Sequence, residues 1–151
     1  MTKIGKLGEQ LVAQWLEAQG WIILHHRWRC TWGEIDLIAQ PISSDALVFV
    51  EVKTRSSGNW DADGLLAITP QKQTKLCRTA ALFLAEYQDL ANFPCRFDVA
   101  LVSYRRIQQS SEERSDLPHQ SIILGKPIFW EGYQLTLQNY IESAFDGDWD
   151  Q

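Results

Sequence analysis

The 151-residue chain reads as a single α/β domain, and three observations lead there. Two stretches, Thr2 to Gly20 and Thr69 to Tyr87, repeat apolar residues at helical spacing. Between and after them lie apolar runs, of which Leu47-Val48-Phe49-Val50 and Phe97-Asp98-Val99-Ala100-Leu101-Val102 are close to continuous, as in strands covered on both faces. The length suffices for one sizeable core and falls short of two ordinary domains.

Thr2 is a capping residue for the first helix, and Gly20 suits the left-handed position that follows a last turn. Ile4, Leu7, Leu11, Trp15 and Leu16 give that helix one apolar face. Gly5 and Gly8 stand inside it at a cost of roughly 0.5–1 kcal/mol each relative to Ala, which points to close backbone approach as the compensation. Glu9, beside them, is either an additional acid of a site or one exposed helix carboxylate among others. Trp21 to Arg29 reads as a strand with Thr31-Trp32-Gly33 as its turn, and Gly33 to Ile38 and Leu47 to Lys53 are the next two strands. Pro41-Ile42-Ser43-Ser44-Asp45 is short and turn-like, so these two strands are expected to be antiparallel neighbours.

The segment Arg55 to Gly64, small and polar, is a loop at the edge of the strands. Thr69-Pro70 opens the second helix with a capping hydroxyl and a proline at the first position. Leu76, Ala80, Phe83, Leu84 and Tyr87 form its buried stripe, and Lys72, Lys75 and Arg78 a basic face. Arg96 and Asp98, on one face of the next strand, form a structural pair more often than a phosphate site. Residues 1–106 thus make the core, 107–121 a flexible polar loop, and 122–151 an extension. In that extension Ile122–Leu124, Ile128–Trp130 and Tyr133–Leu137 are short strand candidates, Asn139–Phe145 a helical turn or two, and Asp146, Asp148 and Asp150 a frayed acidic end.

Composition narrows the class. A hydrophobic fraction of 45% with 22% charged residues fits a globular protein, and no run of about 18 apolar residues spans a membrane. The start of the chain has no signal-peptide core, and Cys30, Cys77 and Cys95 form no paired motif, so a cytoplasmic address with reduced thiols is expected. His25-His26 with Cys30 lacks a fourth ligand for zinc. The net charge of -5 speaks against nucleic acid until it is divided: residues 1–106 carry 12 Lys+Arg against 11 Asp+Glu, residues 107–151 only 2 against 8.

The informative residues are charges on inner strands. Ionised side chains are rarely buried unless paired or bound to metal, yet Asp36, Glu51 and Lys53 sit in runs of Ile, Leu, Val and Phe. Alternation puts Glu51 and Lys53 on one face of their strand, and antiparallel pairing brings Asp36 beside Glu51. Two converging carboxylates suit a hard cation such as Mg2+ or Mn2+ that keeps waters for a phosphate to displace, and Lys53 falls within reach of that phosphate. The alternative is that Glu34 and Asp36 face water from a half-buried hairpin, since Gly33 to Ala39 alternates polar and apolar; otherwise Glu34 assists the site. Arg29, Arg55, Lys72, Lys75 and Arg78 are the candidate phosphate contacts. Trp28, Trp32 and Trp60 lie near the expected site, as base-stacking groups or as core and rim.

Taken in order, Gly8-Glu9, Gly33-Glu34-Ile35-Asp36-Leu37-Ile38, Phe49-Val50-Glu51-Val52-Lys53-Thr54-Arg55, Lys72-Gln73 and Arg96-Phe97-Asp98-Val99 resemble the YraN-like bacterial family. That family is similar to the PD-(D/E)xK nucleases, which include Holliday-junction resolvases. The resemblance implies a restriction-endonuclease-like three-layer fold, a mixed central sheet flanked by helices in the order αβββαβ. It implies that Asp36 and Glu51 bind metal together with the Val52 carbonyl and Glu9, that Lys53 is the catalytic lysine, and that Gln73 is a supporting polar residue. Ile35 stands where the superfamily's name has proline, as across the YraN-like group. The expected function is metal-dependent hydrolysis of DNA, more readily than RNA, with branched intermediates as candidates. Symmetric cleavage of a junction would require a homodimer. A non-catalytic nucleic-acid-binding module and a protein-interaction domain are the alternatives.

Overall fold

The computed structural model describes residues 2–58, 68–107 and 121–147. The expected polar loop at 108–120, most of the loop after Arg55 with Trp60, and the acidic end from Asp148 lie outside these residues.

The Thr2 hydroxyl accepts the Gly5 N–H at 3.1 Å and opens helix α1 (Lys3–Ala18). Its end is closed by two backbone bonds, Gly20 N–H to the Glu17 carbonyl at 3.0 Å and Trp21 N–H to the Leu16 carbonyl at 3.1 Å. That pair of bonds requires the left-handed backbone at Gly20, whose φ is +92°. Strands β1 (Ile22–Cys30), β2 (Gly33–Gln40) and β3 (Leu47–Ser56) follow, then helix α2 (Pro70–Glu86), a 3-10 turn at Gln88–Leu90, and strands β4 (Cys95–Arg106), β5 (Ile128–Trp130) and β6 (Tyr133–Phe145). The Thr69 hydroxyl caps α2 by accepting the Lys72 N–H at 3.2 Å.

The six strands form one sheet in the order β1-β2-β3-β4-β6-β5. β3 and β4 are parallel, joined through the segment that carries α2, and the other pairs are antiparallel. The sheet is therefore mixed, with a helix on either face, as expected. On one face Leu7, Leu11 and Leu16 of α1 pack on Leu37, Val48, Val50 and Val102. On the other, Leu76, Ala80 and Phe83 of α2 pack on Ile35, Ile38, Phe49 and Phe97.

The last strand corrects two expectations. Asn139–Phe145 continues β6 rather than turning into a helix, because β4 offers an open edge that takes Ile141 opposite Val99 and Phe145 opposite Phe97. Ile122–Leu124 is no strand, since the chain turns at Leu124–Gly125, where Gly125 has a φ of +83° and donates to the Leu137 carbonyl at 2.8 Å. Arg96 and Asp98 are the structural pair foreseen, joined at 3.1 Å. The fully buried Asp98 carboxylate also accepts the Tyr140 hydroxyl at 2.6 Å and the Ser143 N–H at 3.0 Å, which fastens the end of β6.

α1 approaches β3 most closely at Gly8, where an added Cβ would stand 2.2 Å from Thr54 Oγ1. This is the compensation expected for a helix-interior glycine. Overpacking of about 1–3 kcal/mol outweighs the helix-propensity gain of about 1 kcal/mol, so Gly8→Ala is expected to lower stability in urea denaturation. In a Thr54→Ala background, where only the Thr54 Cβ contact at 3.3 Å remains, the loss is expected to shrink; a destabilising effect of equal size in both backgrounds would refute the contact.

Candidate functional site

The site begins where β2 and β3 separate. Their ladder pairs Ala39 with Val48, Ile38 with Phe49 and Leu37 with Val50. On its other side β3 remains paired with β4 as far as Ser56. Beyond Val50 the β3 backbone has lost its β2 neighbour, and Asp36 takes over: its Oδ2 accepts the Val52 N–H at 2.7 Å. β1 yields at the same level. Its register with β2 passes from His26↔Leu37 to Trp28↔Ile35 and omits Arg27, whose φ of +50° is left-handed. Ile35 packs on the α2 side and Leu37 on the α1 side, so the alternation of β2 slips at Asp36.

Asp36 thereby stands between the two faces of the sheet. Toward α1 it meets Glu9, which is only 8% exposed, so the reading of Glu9 as an exposed helix carboxylate is overturned. Glu9 Oε2 accepts from the Arg27 guanidinium at 3.1 Å, whereas its buried Oε1 has no hydrogen-bond partner among the described residues. Toward α2 Asp36 meets Glu51, whose Oε1 lies 3.2 Å from Lys53 Nζ. Glu51 and Lys53 share a face, as alternation requires, while Val50 and Val52 pack on the other.

Burial is the main force on these acids. It pushes the Asp36 carboxyl up to about 7, opposed by the Val52 N–H and reinforced by the neighbouring Glu9. It pushes Glu51 up to about 7 as well, with the Asp36 charge adding to the rise and Lys53 opposing it. Glu9 is raised by burial against the pull of Arg27. Glu9 and Asp36 titrate together, each raised chiefly by burial. Lys72 is pushed down chiefly by the charge of Lys53, which shows two ammonium groups crowded at one place.

That place is a cleft of about 200 Å3 between the β1–β2 hairpin tip, β3 and α2. Glu34, Glu51, Lys53, Lys72, Lys75 and Trp32 are among its lining residues. Of the residues expected to contact phosphate, Lys72 and Lys75 line it, and Arg78 stacks on Trp32 at its rim with 5.0 Å from guanidinium to ring centroid. Arg29 is turned to Glu34 at 3.0 Å. Arg55 donates to the Thr54 carbonyl at 3.2 Å. Gln73 donates to the Ile68 carbonyl at 3.2 Å, which secures the start of α2. Trp28 is core, edge-on to Phe83 at 5.3 Å, and His25 packs on the rings of Phe83 and Tyr87.

Among the described residues no three His, Cys, Asp or Glu side chains converge as a ready metal cage. Asp36 and Glu51 are a pair, with Glu9 behind them. A pair is what Mg2+ or Mn2+ uses when water and phosphate complete the shell, and the buried Glu9 Oε1, without a hydrogen-bond partner among the described residues, fits a cationic neighbour. The residue that sequence reasoning missed is Arg27. A lone arginine in a strand carries no signal of its own, and only the left-handed turn of its backbone aims it at Glu9.

The model of uncharacterised protein family UPF0102 matches residues 8–102. A UPF0102 protein of Acaryochloris marina is 51% identical over 154 residues, covering 95% of this chain and 90% of its own. One from Nostoc is 51% identical over 146 residues, with 95% and 94% covered, and one from Synechocystis 46% over 151, with 97% and 100% covered. The chain belongs to the UPF0102 family, which bears out the YraN-like resemblance.

The carboxyl shifts carry a sign. Asp36 is raised well above the carboxylate range of an unfolded chain, about 3.9. Its contribution to stability is therefore full below about pH 4 and is lost as the pH climbs toward 7 and beyond. Asp36→Asn keeps an acceptor for the Val52 N–H and brings an N–H2 toward Glu9. Its melting temperature is expected to exceed that of the wild type at pH 8, by roughly 2–4 °C per kcal/mol, and to converge with it at pH 4. A gain that does not depend on pH would refute the assignment.

Proposed function

We propose that this member of UPF0102 is a metal-dependent endonuclease that hydrolyses phosphodiester bonds in DNA. The observation that supports it most is the pair of half-buried carboxylates, Asp36 and Glu51, both pushed to about 7, with Lys53 Nζ 3.2 Å from one of them. The Val52 N–H accounts for one Asp36 oxygen and Lys53 for one of Glu51, but two adjacent inner-strand acids that raise one another are characteristic of sites tuned for chemistry.

Asp36 and Glu51, with the Val52 carbonyl, would hold Mg2+ or Mn2+, with Glu9 as a further acid behind Asp36. When bound, such an ion supplies positive charge beside a phosphodiester and acidifies water. Val52 N–H fixes Asp36 through Oδ2. Lys53 fixes Glu51 through Oε1. The Lys53 ammonium also offsets negative charge as it builds on the phosphate. Lys72 and Lys75 extend the positive field along the cleft, and the crowding of Lys72 against Lys53 is relieved by any anion that enters. DNA is favoured over a small phosphate ester because this cationic wall continues past the acids toward Trp32.

Purified protein incubated with Mn2+ or Mg2+ and linear, single-stranded, flapped or branched DNA is expected to cut at least one of these substrates. Asp36→Asn, Glu51→Gln and Lys53→Ala are each expected to slow cutting by about 100-fold or more, and chelation to stop it. Equal activity in wild type and Asp36→Asn would overturn the proposal. DNA that binds in all four proteins and is never cut would favour a binding module instead.

A further inference from the structure

Among the described residues, Trp32 is the aromatic that lines the cleft. Trp32 sits at the tip of the β1–β2 hairpin and is 50% exposed, although it lines the same cavity as Glu51 and Lys53. A large aromatic left half in water beside a cationic groove offers a ligand an open apolar surface. Its position is held from two sides. The Trp32 backbone N–H donates to Cys30 Sγ at 3.4 Å, and the Arg78 guanidinium lies 5.0 Å from the ring centroid. Arg78 therefore braces the indole as well as charging it.

The cations along α2 lead from the acids to this ring. Lys72, Lys75 and Arg78 are spaced by three residues, so each step advances about 4.5 Å along the helix and the whole run about 9 Å. A strand whose phosphate rests by Lys53 and Lys72 would have its neighbouring nucleotide beside Trp32. Glu34, the acid on that wall, is tied to Arg29 at 3.0 Å.

We infer that Trp32, braced by Arg78, is a stacking platform for an unpaired base next to the phosphate held at Lys53, so that the cleft selects single-stranded, flapped or branched DNA over continuous duplex. The reason is geometric. A ring can stack only on a base whose face is free, and in a continuous duplex both faces are covered by neighbours. The inference rests on reading the cleft as a nucleic-acid site and deepens it by naming the state of the strand that enters.

Fluorescence anisotropy with labelled oligonucleotides tests this in EDTA, where no hydrolysis occurs, with substrates compared at matched salt across a salt series. Wild-type protein is expected to bind a single strand and a flap more tightly than a blunt duplex of equal length. Trp32→Ala is expected to weaken single-strand and flap binding about tenfold while changing duplex binding by no more than about twofold. Trp32→Phe, which keeps an aromatic face, is expected to retain most of the affinity, and Lys75→Ala to weaken all substrates alike with a shallower salt dependence. Unchanged single-strand affinity in Trp32→Ala, an equal loss on duplex, or no single-strand binding by the wild type would each overturn the inference. Hydrolysis plays no part in the readout. A protein that discriminates strands through Trp32 and never cuts loses only the nuclease reading, and one that cuts with an indifferent Trp32 loses only the platform.

Discussion

One hydrogen bond organises the candidate site: the Val52 N–H on Asp36 Oδ2, at 2.7 Å. An inner strand that leaves its neighbour must find partners for its backbone, and an unpaired amide in the core costs about as much as a lost hydrogen bond. Here the partner is a side chain on the departing strand itself. The same contact that satisfies β3 therefore draws the Asp36 carboxylate into the gap, where Glu51 already projects from β3. The separation of β2 from β3, the slip in alternation at Asp36 and the left-handed turn at Arg27 occur at one level of the sheet. They are three aspects of one distortion, and without it Asp36 would be one more residue in a regular ladder.

Much of this was legible in the residues. The caps at Thr2 and Thr69, the turn at Gly20 and the two apolar helix faces rest on local chemistry, which a sequence states directly. The acids and lysine were legible because charge in an apolar strand is conspicuous. What could not be read is the consequence of bulges. In β6 the pairs shift register between Phe97 and Val99 and again between Leu101 and Val102. These shifts break the period of two, so that Tyr140, Ile141, Ala144 and Phe145 acquire a spacing close to that of a helix. The open edge of β4 decided the matter, and an edge is a tertiary property. Arg27 and the turning of Gln73 onto Ile68 were hidden for a related reason, since neither direction follows from position in the chain.

Electrostatics sets the character of the pocket. Glu9, Asp36 and Glu51 are each raised, first by burial and then by other acids, against one buried arginine and one lysine. The folded protein therefore holds negative charge that it would be more stable without. Such a cost persists where a ligand of opposite sign repays it or where the chemistry needs it. The opposite excess lies a few residues away, in the crowding of Lys72 against Lys53. An acid-rich pocket thus lies beside a cation-rich wall, and the proposed function rests on that juxtaposition.

The crossover explains why the wall is where it is. β3 and β4 are parallel, so the chain must return over the sheet between them, and α2 is the helix on that path. Its apolar stripe, Leu76, Ala80 and Phe83, is held on Phe49 and Phe97. Fixing that stripe fixes the rotation of the helix and so the direction of Lys72 and Lys75, which turn toward Glu51 and Lys53 at the other end of the Phe49 face. Thr79 is buried on the same helix, beside Gly33 of the hairpin, where an added Cβ would meet its Oγ1 at 3.5 Å. The hairpin tip is thus pressed against α2 and carries Trp32 to Arg78. Core packing on one face of a single helix consequently sets the spacing of acid pair, cation track and indole, three groups contributed by segments distant in sequence.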